Sequence, residues 1–474
     1  MIALAERSQF PEKLHYERVL FVICPSGSYC REDRCQSFFS FELIPSMRPP
    51  LEECEAAAGV SNLGAVHQII DGAAEQLRDK DFLNRIKEFS PDLILMAVTF
   101  GSLDQDILWA RQIKLRMPNV PIGLRGAPAY VWAQRILEDT SPFDFCVHGD
   151  YELVLDSILK RGYQKASGVS FRAAPNTVIS VASSLASSLD DLPVSDRSTI
   201  NNELYRVRGF GVPQATIHVQ RGCPFPCTYC LVHTVSGSKP RHRSPASIVG
   251  EMSSLISQGI KFFYLRAETL TLDRAWVLDM AEAISTQCPT ARWVSTTRVE
   301  CVDAEILSSL KSAGCYGLSF GMDVGSELIS KRVRKPINAE KALDAVKLCN
   351  RLGIISLGYF MIGFPWESEA TLGETSQFIS KIAPDLITLH YAHPYPGTKY
   401  YEEVKNLGIS FSRERAQAAA AFVPPALKPG QLEKYGRRML VSHYSRPKVL
   451  FSIGRKLLPL LLEAKLGSGA IATK

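Results

Sequence analysis

Apolar residues along this chain fall into short unbroken runs separated by stretches of helical period. Residues 19 to 24 (Val-Leu-Phe-Val-Ile-Cys) and 92 to 99 (Asp-Leu-Ile-Leu-Met-Ala-Val-Thr) read as buried strands, with a helical pattern at 79 to 89 between them. The spacing then predicts a helix over 104–117, a strand over 120–124, a helix over 129–138 and a strand over 143–147. Such alternation gives a parallel, doubly wound sheet whose ligand lies at the strand ends, where the loops Thr99 to Ser102, Arg125 to Pro128 and His148 to Glu152 converge. Residues 166 to 200, rich in Ser, Ala and Asp, read as a hairpin or linker. From about 213 the alternation restarts, with strands near 215–220, 261–266, 291–295, 316–320, 354–360 and 385–390. Six units make an open partial barrel, and parallel α/β barrels place chemistry at the carboxyl ends of their strands. The chain is therefore read as α/β, with a doubly wound domain over 1–165, a linker over 166–205, a partial (β/α)6 barrel over 206–405 and a helical cap or tail over 406–474.

Composition narrows the class. With 474 residues, 46% hydrophobic and 22% charged, the chain is long enough for two or three domains with cores of their own. A net charge of +6, not concentrated in one run, carries no strong nucleic-acid signal. The first twenty residues, with Glu6, Glu12 and Glu17, do not form a signal peptide, and no stretch reaches the ~18 consecutive apolar residues of a membrane span. Twelve cysteines without a secretion signal predict reduced thiols and a cytoplasmic protein.

The chemistry concentrates after the first barrel strand, in Gln220-Arg221-Gly222-Cys223-Pro224-Phe225-Pro226-Cys227-Thr228-Tyr229-Cys230. Thiolates bind iron strongly, and spacings of three and two residues let one loop curl around one face of a cubane, so Cys223, Cys227 and Cys230 are candidate ligands of an iron-sulfur cluster. The next cysteine, Cys288, lies two elements away, which leaves one iron open to a small molecule. Zinc with His233 as fourth ligand, or plain buried thiols, are the competing readings. Gly222 permits close backbone approach, while Pro224 and Pro226 stiffen the loop.

On these residues the barrel resembles a radical S-adenosylmethionine (SAM) enzyme, and residues 60 to 400 resemble the cobalamin-binding-domain branch of that superfamily. The Cys-x3-Cys-x2-Cys loop is the superfamily's defining element, and Tyr229 stands where relatives place a residue beside the adenine. Tyr264 to Asp273, Thr297-Arg298, Gly321 to Glu327, Gly363-Phe364-Pro365-Trp366-Glu367 and Pro394-Tyr395-Pro396-Gly397-Thr398 match the later strand ends in order. Ala267 replaces the branch's usual first acid and Asp323 its usual Glu. The resemblance implies a 4Fe-4S cluster whose open iron is chelated by SAM, reductive cleavage to a 5'-deoxyadenosyl radical, and a flavodoxin- or ferredoxin-like electron donor. It assigns Glu268 to the amino group of SAM, Arg298 and Ser326 to its carboxylate or ribose, the backbone near Gly363 and Pro365 to adenine, and a weaker or water-mediated contact to Asp323. It leaves the substrate-side catalytic residues unassigned.

Within 64 to 160, Ile69-Ile70-Asp71, Pro91 to Ile94, Ile122 to Pro128 and His148-Gly149-Asp150-Tyr151-Glu152 are similar to the cobalamin module of class B radical methyltransferases. This implies cobalamin held by Thr99, Ser102, Gly126, Gly149 and Glu152, without a lower histidine ligand, because no Asp-x-His-x-x-Gly element is present. The implied activity is C-methylation of an unactivated carbon in a small molecule or lipid. An oxidative cyclase or rearrangement enzyme, or a non-catalytic iron-sulfur assembly or relay protein, are the alternatives.

Three features stay open. Cys24, Cys30 and Cys35 could hold a second metal or be plain thiols. The tail from Tyr444 to Leu462 mixes basic and apolar residues, as a barrel cap or a peripheral membrane contact would, and Pro459 is expected to interrupt any long helix there. Tyr264, Trp293, His390, Tyr391 and Tyr395 suggest either an aromatic substrate pocket or core packing.

Overall fold

The computed structural model describes residues 14–27, 48–183, 185–207, 210–336, 338–412 and 419–469. The first sheet is built from β1 (Arg18–Ile23), α1 (Leu51–Asn62), β2 (Val66–Asp71), α2 (Asp79–Phe89), β3 (Leu93–Ala97), α3 (Leu103–Arg116), β4 (Ile122–Arg125), α4 (Ala127–Ile136), β5 (Phe145–Val147) and α5 (Tyr151–Arg161). The strands run β2-β1-β3-β4-β5 in parallel, and β1 and β3 read as continuous apolar runs because helices cover both faces. The hairpin β6 (Val169–Ala174) and β7 (Thr177–Ser180) then pairs antiparallel on β5, so the hairpin expected within 166 to 200 belongs to this sheet, which extends past residue 165.

Three elements of this domain escape the sequence pattern, α1, β2 and α5. Helix α1 buries Glu52, Glu53 and Glu55 together with Leu51, Cys54 and Ala56 to Ala58, so it shows no polar face to mark its period. Its acids are buried because they meet cations: Glu52 pairs with Arg266, Glu53 with Arg125, and Glu55 with His218 and Arg221. Three of those four partners belong to the second domain, so this helix fastens the two domains together.

The second sheet opens with β8 (Arg206–Val207), antiparallel to β9 (Val212–His218). After β9 come the short ladder β10 (Gln220–Arg221), the one-turn α6 (Val232–Val235), β11 (Arg241–His242) and α7 (Pro245–Ser257). The alternation continues through β12 (Phe262–Arg266), α8 (Arg274–Gln287), β13 (Arg292–Thr297), α9 (Ala304–Ser312), β14 (Cys315–Asp323), α10 (Glu327–Arg332), α11 (Ala339–Leu352), β15 (Ile355–Ile362), α12 (Glu369–Ile382) and β16 (Leu386–Tyr391). Strand order is β16-β15-β14-β13-β12-β9-β8, with β9 and β12 to β16 all parallel. This is the expected six-unit partial barrel, open between β8 and β16.

Period-two alternation along β13, with Trp293, Ser295 and Thr297 buried, directs one face to the outer helices and the other to the lumen. Trp293 lies in the helix-covered core and donates its indole N–H to Ala313 O at 2.7 Å, so it belongs to packing and not to a substrate pocket. Helices α13 (Lys399–Asn406), α14 (Gln431–Tyr444) and α15 (Pro447–Gly469) complete the chain. Contrary to the expected interruption, α15 continues through Pro459. Helix α15 packs across the amino-terminal end of the barrel, where buried Lys456 pairs with Asp385 and donates to Ile354 O at 2.8 Å, tying the helix to the starts of β15 and β16. None of the described helices is long and apolar enough to cross a membrane.

Candidate active site

The cysteine loop leaves the carboxyl end of β9 through β10. Gly222 turns it at φ +89°, and a Cβ there would fall 2.3 Å from Lys239 O, so no other residue fits. The far side of the loop is tied down by Thr228, whose N–H donates to Val333 O at 3.1 Å and whose carbonyl accepts from Tyr400 N at 2.9 Å. Cys223, Cys227 and Cys230 are free, half-buried thiols on this one loop. Among the described residues, no three His, Cys, Asp or Glu side chains converge as ligands of one metal ion must, and His233 is exposed on α6. Thiolates that each bind a different iron of a cubane need no such convergence, so the donor set suits the cluster.

Cations gather around these sulfurs. Arg298, at the end of β13, points Nη1 at Cys227 Sγ across 3.9 Å, lays its guanidinium over the Phe225 ring at 4.0 Å and pairs with Glu300 at 3.2 Å. Lys335 is buried beside the same loop and paired with Asp323; burial pushes its ammonium down to about 8, against the pull of the Cys227 sulfur. Asp323 adopts a left-handed conformation, φ +51°, where the register of β14 slips. Nothing local in the sequence marks Lys335 or its pairing, because the lysine lies twelve residues beyond the strand end in a basic run with the pattern of solvated surface.

Other expected SAM contacts gather at the same strand ends. Tyr229 packs on Phe364 with ring centroids 6.1 Å apart, which brings the cysteine loop and the Gly363-Phe364-Pro365 turn together. That turn is braced from beneath by Glu367, whose Oε2 accepts from Gly363 N at 3.0 Å; burial pushes the Glu367 carboxyl up to about 7. Ser326 caps α10 and is fully buried, with no hydrogen-bond partner for its Oγ among the described residues. A buried hydroxyl of this kind is costly unless a ligand completes it, and it suits the polar groups of SAM. Glu268, partly buried, stands in the loop after β12.

The corrinoid residues expected from the resemblance divide. Thr99 and Ser102 stay at the end of β3 and are buried; Thr99 N donates to Ser102 Oγ at 3.1 Å, and Ser102 donates to Asp106 at 2.6 Å. Gly126 is required by close backbone packing, since a Cβ would lie 2.0 Å from Val98 O. Gly149 is held by Tyr130, whose hydroxyl accepts from its N–H and donates to its carbonyl, each at 3.0 Å. Glu152 is committed elsewhere: its carboxylate receives Arg221 Nη2 at 2.6 Å, beside Glu55 at 2.9 Å, while Nη1 reaches Asp150 at 3.0 Å. Arg241 also pairs with Asp150. Cys24 is buried, and Cys30 and Cys35 lie outside the described residues.

This ion cluster joins the two domains one residue before Gly222. Beside it, Phe100 from the loop after β3 stacks on Tyr395 from the loop after β16, centroids 5.2 Å apart and planes 24° from parallel. The strand ends of the two sheets therefore adjoin across one interface.

Comparison with known proteins agrees with this geometry. Residues 217–379 match the Radical SAM superfamily. An uncharacterized methyltransferase of Pyrococcus horikoshii is 27% identical over 91% of this chain and 94% of its own. The anaerobic magnesium-protoporphyrin IX monomethyl ester cyclase of Cereibacter sphaeroides is 25% identical over 78% of this chain and 61% of its own. Among solved structures, the radical SAM methyltransferase TsrM from Kitasatospora setae, with cobalamin and a [4Fe-4S] cluster bound, superposes with a TM-score of 0.65 at 18% identity, covering 82% of this chain and 75% of that one. Residues 217–379 thus carry a domain of the radical SAM superfamily, and the chain has the two-domain fold of the cobalamin-bound methyltransferase structure.

Proposed function

We propose that this radical SAM enzyme is a cobalamin-dependent C-methyltransferase of a small molecule or lipid, working in the cytoplasm with a flavodoxin- or ferredoxin-like electron donor. The observation that carries the reading is the Phe100–Tyr395 stack, which sets the strand ends of the first sheet against the mouth of the barrel. When bound, the cluster with SAM supplies a 5'-deoxyadenosyl radical and the corrinoid supplies a methyl group.

The chain's own residues bind and orient. Cys223, Cys227 and Cys230 hold the cluster, Arg298 and Lys335 place positive charge beside it, and Ser326 and Glu268 take polar groups of SAM. Tyr229 and Phe364 flank the adenine on the turn that Glu367 braces. The hydroxyls and small residues at Thr99, Ser102, Gly126 and Gly149 offer a surface for the corrinoid, and the Arg221 cluster keeps that surface in register with the cysteine loop. Phe100 and Tyr395, both buried, exclude water from the seam between the two sets of strand ends where they stack.

The reading is tested by purifying the protein anaerobically with added hydroxocobalamin and recording its visible spectrum after desalting. A corrinoid band retained beside the iron-sulfur absorbance supports it. Iron-sulfur absorbance alone would remove methyl transfer and leave a radical SAM enzyme of another type.

A further inference from the structure

Helix α15 is an amphipathic element whose outer face is the unusual one. Its inner face is well used: Val449, Lys456, Leu460 and Ala464 are buried against the barrel. The outer face repeats apolar residues at helical spacing, with Leu450 54%, Phe451 72%, Leu458 58% and Leu462 54% exposed. Such side chains scattered singly need no explanation, but a row along one helix does.

Charge supplies the second observation. Lys448 and Arg455 are exposed on the same helix, and α14 exposes Lys434, Arg437 and Arg438 beside Val441. The one acid among the described residues of α15, Glu463, is paired with Arg292 at 2.8 Å. Half-exposed Glu433 is the one acid of α14, so the two helices present apolar side chains among an excess of cations, the composition of a helix that lies in the headgroup plane of an anionic bilayer. A protein partner of mixed surface would leave much of this positive charge uncompensated.

We infer that the outer face of α15, with the basic face of α14, docks this protein on anionic membrane surfaces. Phe451, Leu458 and Leu462 enter the headgroup and acyl boundary, and Arg437, Arg438, Lys448 and Arg455 meet lipid phosphates. Binding is peripheral and reversible, since no described helix can span the bilayer.

The test is co-sedimentation of the full-length protein with vesicles of phosphatidylcholine alone and of phosphatidylcholine with phosphatidylglycerol, at low and high salt. The protein sediments with the anionic vesicles, less at high salt and little with phosphatidylcholine alone. Phe451→Glu combined with Leu458→Glu lowers the partition at least about tenfold, and Arg437→Glu combined with Arg438→Glu lowers only the anionic component. Both pairs sit on exposed positions, and an unchanged circular dichroism melt shows that they fold. Failure of the unaltered protein to sediment, sedimentation indifferent to both variants, or self-association through this face in place of vesicle binding would overturn the inference.

Discussion

Arg221 Nη2 lies 2.6 Å from Glu152 Oε1, so the residue that leads into the cysteine loop is bound to the first helix turn after β5 of the other domain. The same guanidinium meets Glu55 and Asp150, which makes one arginine the counter-ion of three buried carboxylates. Position of the cluster loop relative to the first sheet is thereby set by charge, in a place where water cannot substitute.

Removing that cation strands its partners. Arg221→Ala is expected to destabilise the protein by about 3–5 kcal/mol, because Glu55 and Glu152 lose their chief compensating charge inside the interface. Chemical denaturation read by circular dichroism checks this, and a loss below about 1 kcal/mol would show that the cluster contributes little.

Ser326→Ala should behave in the opposite way. Its hydroxyl has no partner among the described residues, so stability stays within about 0.5 kcal/mol of the unaltered protein. The KM for SAM rises about fivefold to tenfold, the worth of about 1 kcal/mol of hydrogen bonding. Melting curves and the initial rate of 5'-deoxyadenosine formation against SAM concentration separate the two effects.

Glu367 gives a pH signature. Burial raises its folded-state value to about 7, above an ordinary 4.5, so the folded protein holds the proton more tightly than the unfolded chain. Its contribution to stability is therefore complete below the unfolded value and is lost as pH climbs from about 4.5 through about 7. Glu367→Gln keeps an acceptor for Gly363 N and cannot ionise, so the variant gains stability relative to the unaltered protein across that window. Denaturation midpoints at several pH values measure the slope; parallel curves for the two proteins would contradict the assignment.

Phe100→Ala separates the domains' roles. Loss of the stack on Tyr395 is expected to lower corrinoid retention about tenfold, since an aromatic pair adds up to about 1.5 kcal/mol beyond its buried area. Cluster content and SAM cleavage depend on barrel residues and are retained. Iron and cobalt analysis of the same preparations reads both at once.

Much of this site was legible in the sequence because it rests on local signals. The spacing of Cys223, Cys227 and Cys230, the turn at Gly363 and the apolar runs of β3 and β15 each announce themselves within a few residues. What escaped depends on contacts between distant residues. Glu52, Glu53 and Glu55 look like a solvated helix face until their cations arrive from other parts of the chain, and Arg221 looks like flanking sequence until three carboxylates surround it. Lys335 and Phe100 are ordinary loop residues whose importance comes from which strand ends the fold places side by side. Pro459 illustrates a different limit, since tertiary packing of α15 on the barrel prevails over a local helix breaker.

The most direct test of the account is to supply anaerobically reconstituted, corrinoid-loaded protein with reductant and SAM carrying a deuterated methyl group, in the presence of candidate substrates, and to follow the products by mass spectrometry. The expected products are 5'-deoxyadenosine, S-adenosylhomocysteine and a substrate heavier by the labelled methyl group, all abolished by Cys227→Ala. S-adenosylhomocysteine and labelled product formed equally well by the Cys227→Ala protein, or 5'-deoxyadenosine and altered substrate formed with no label transferred, would contradict it.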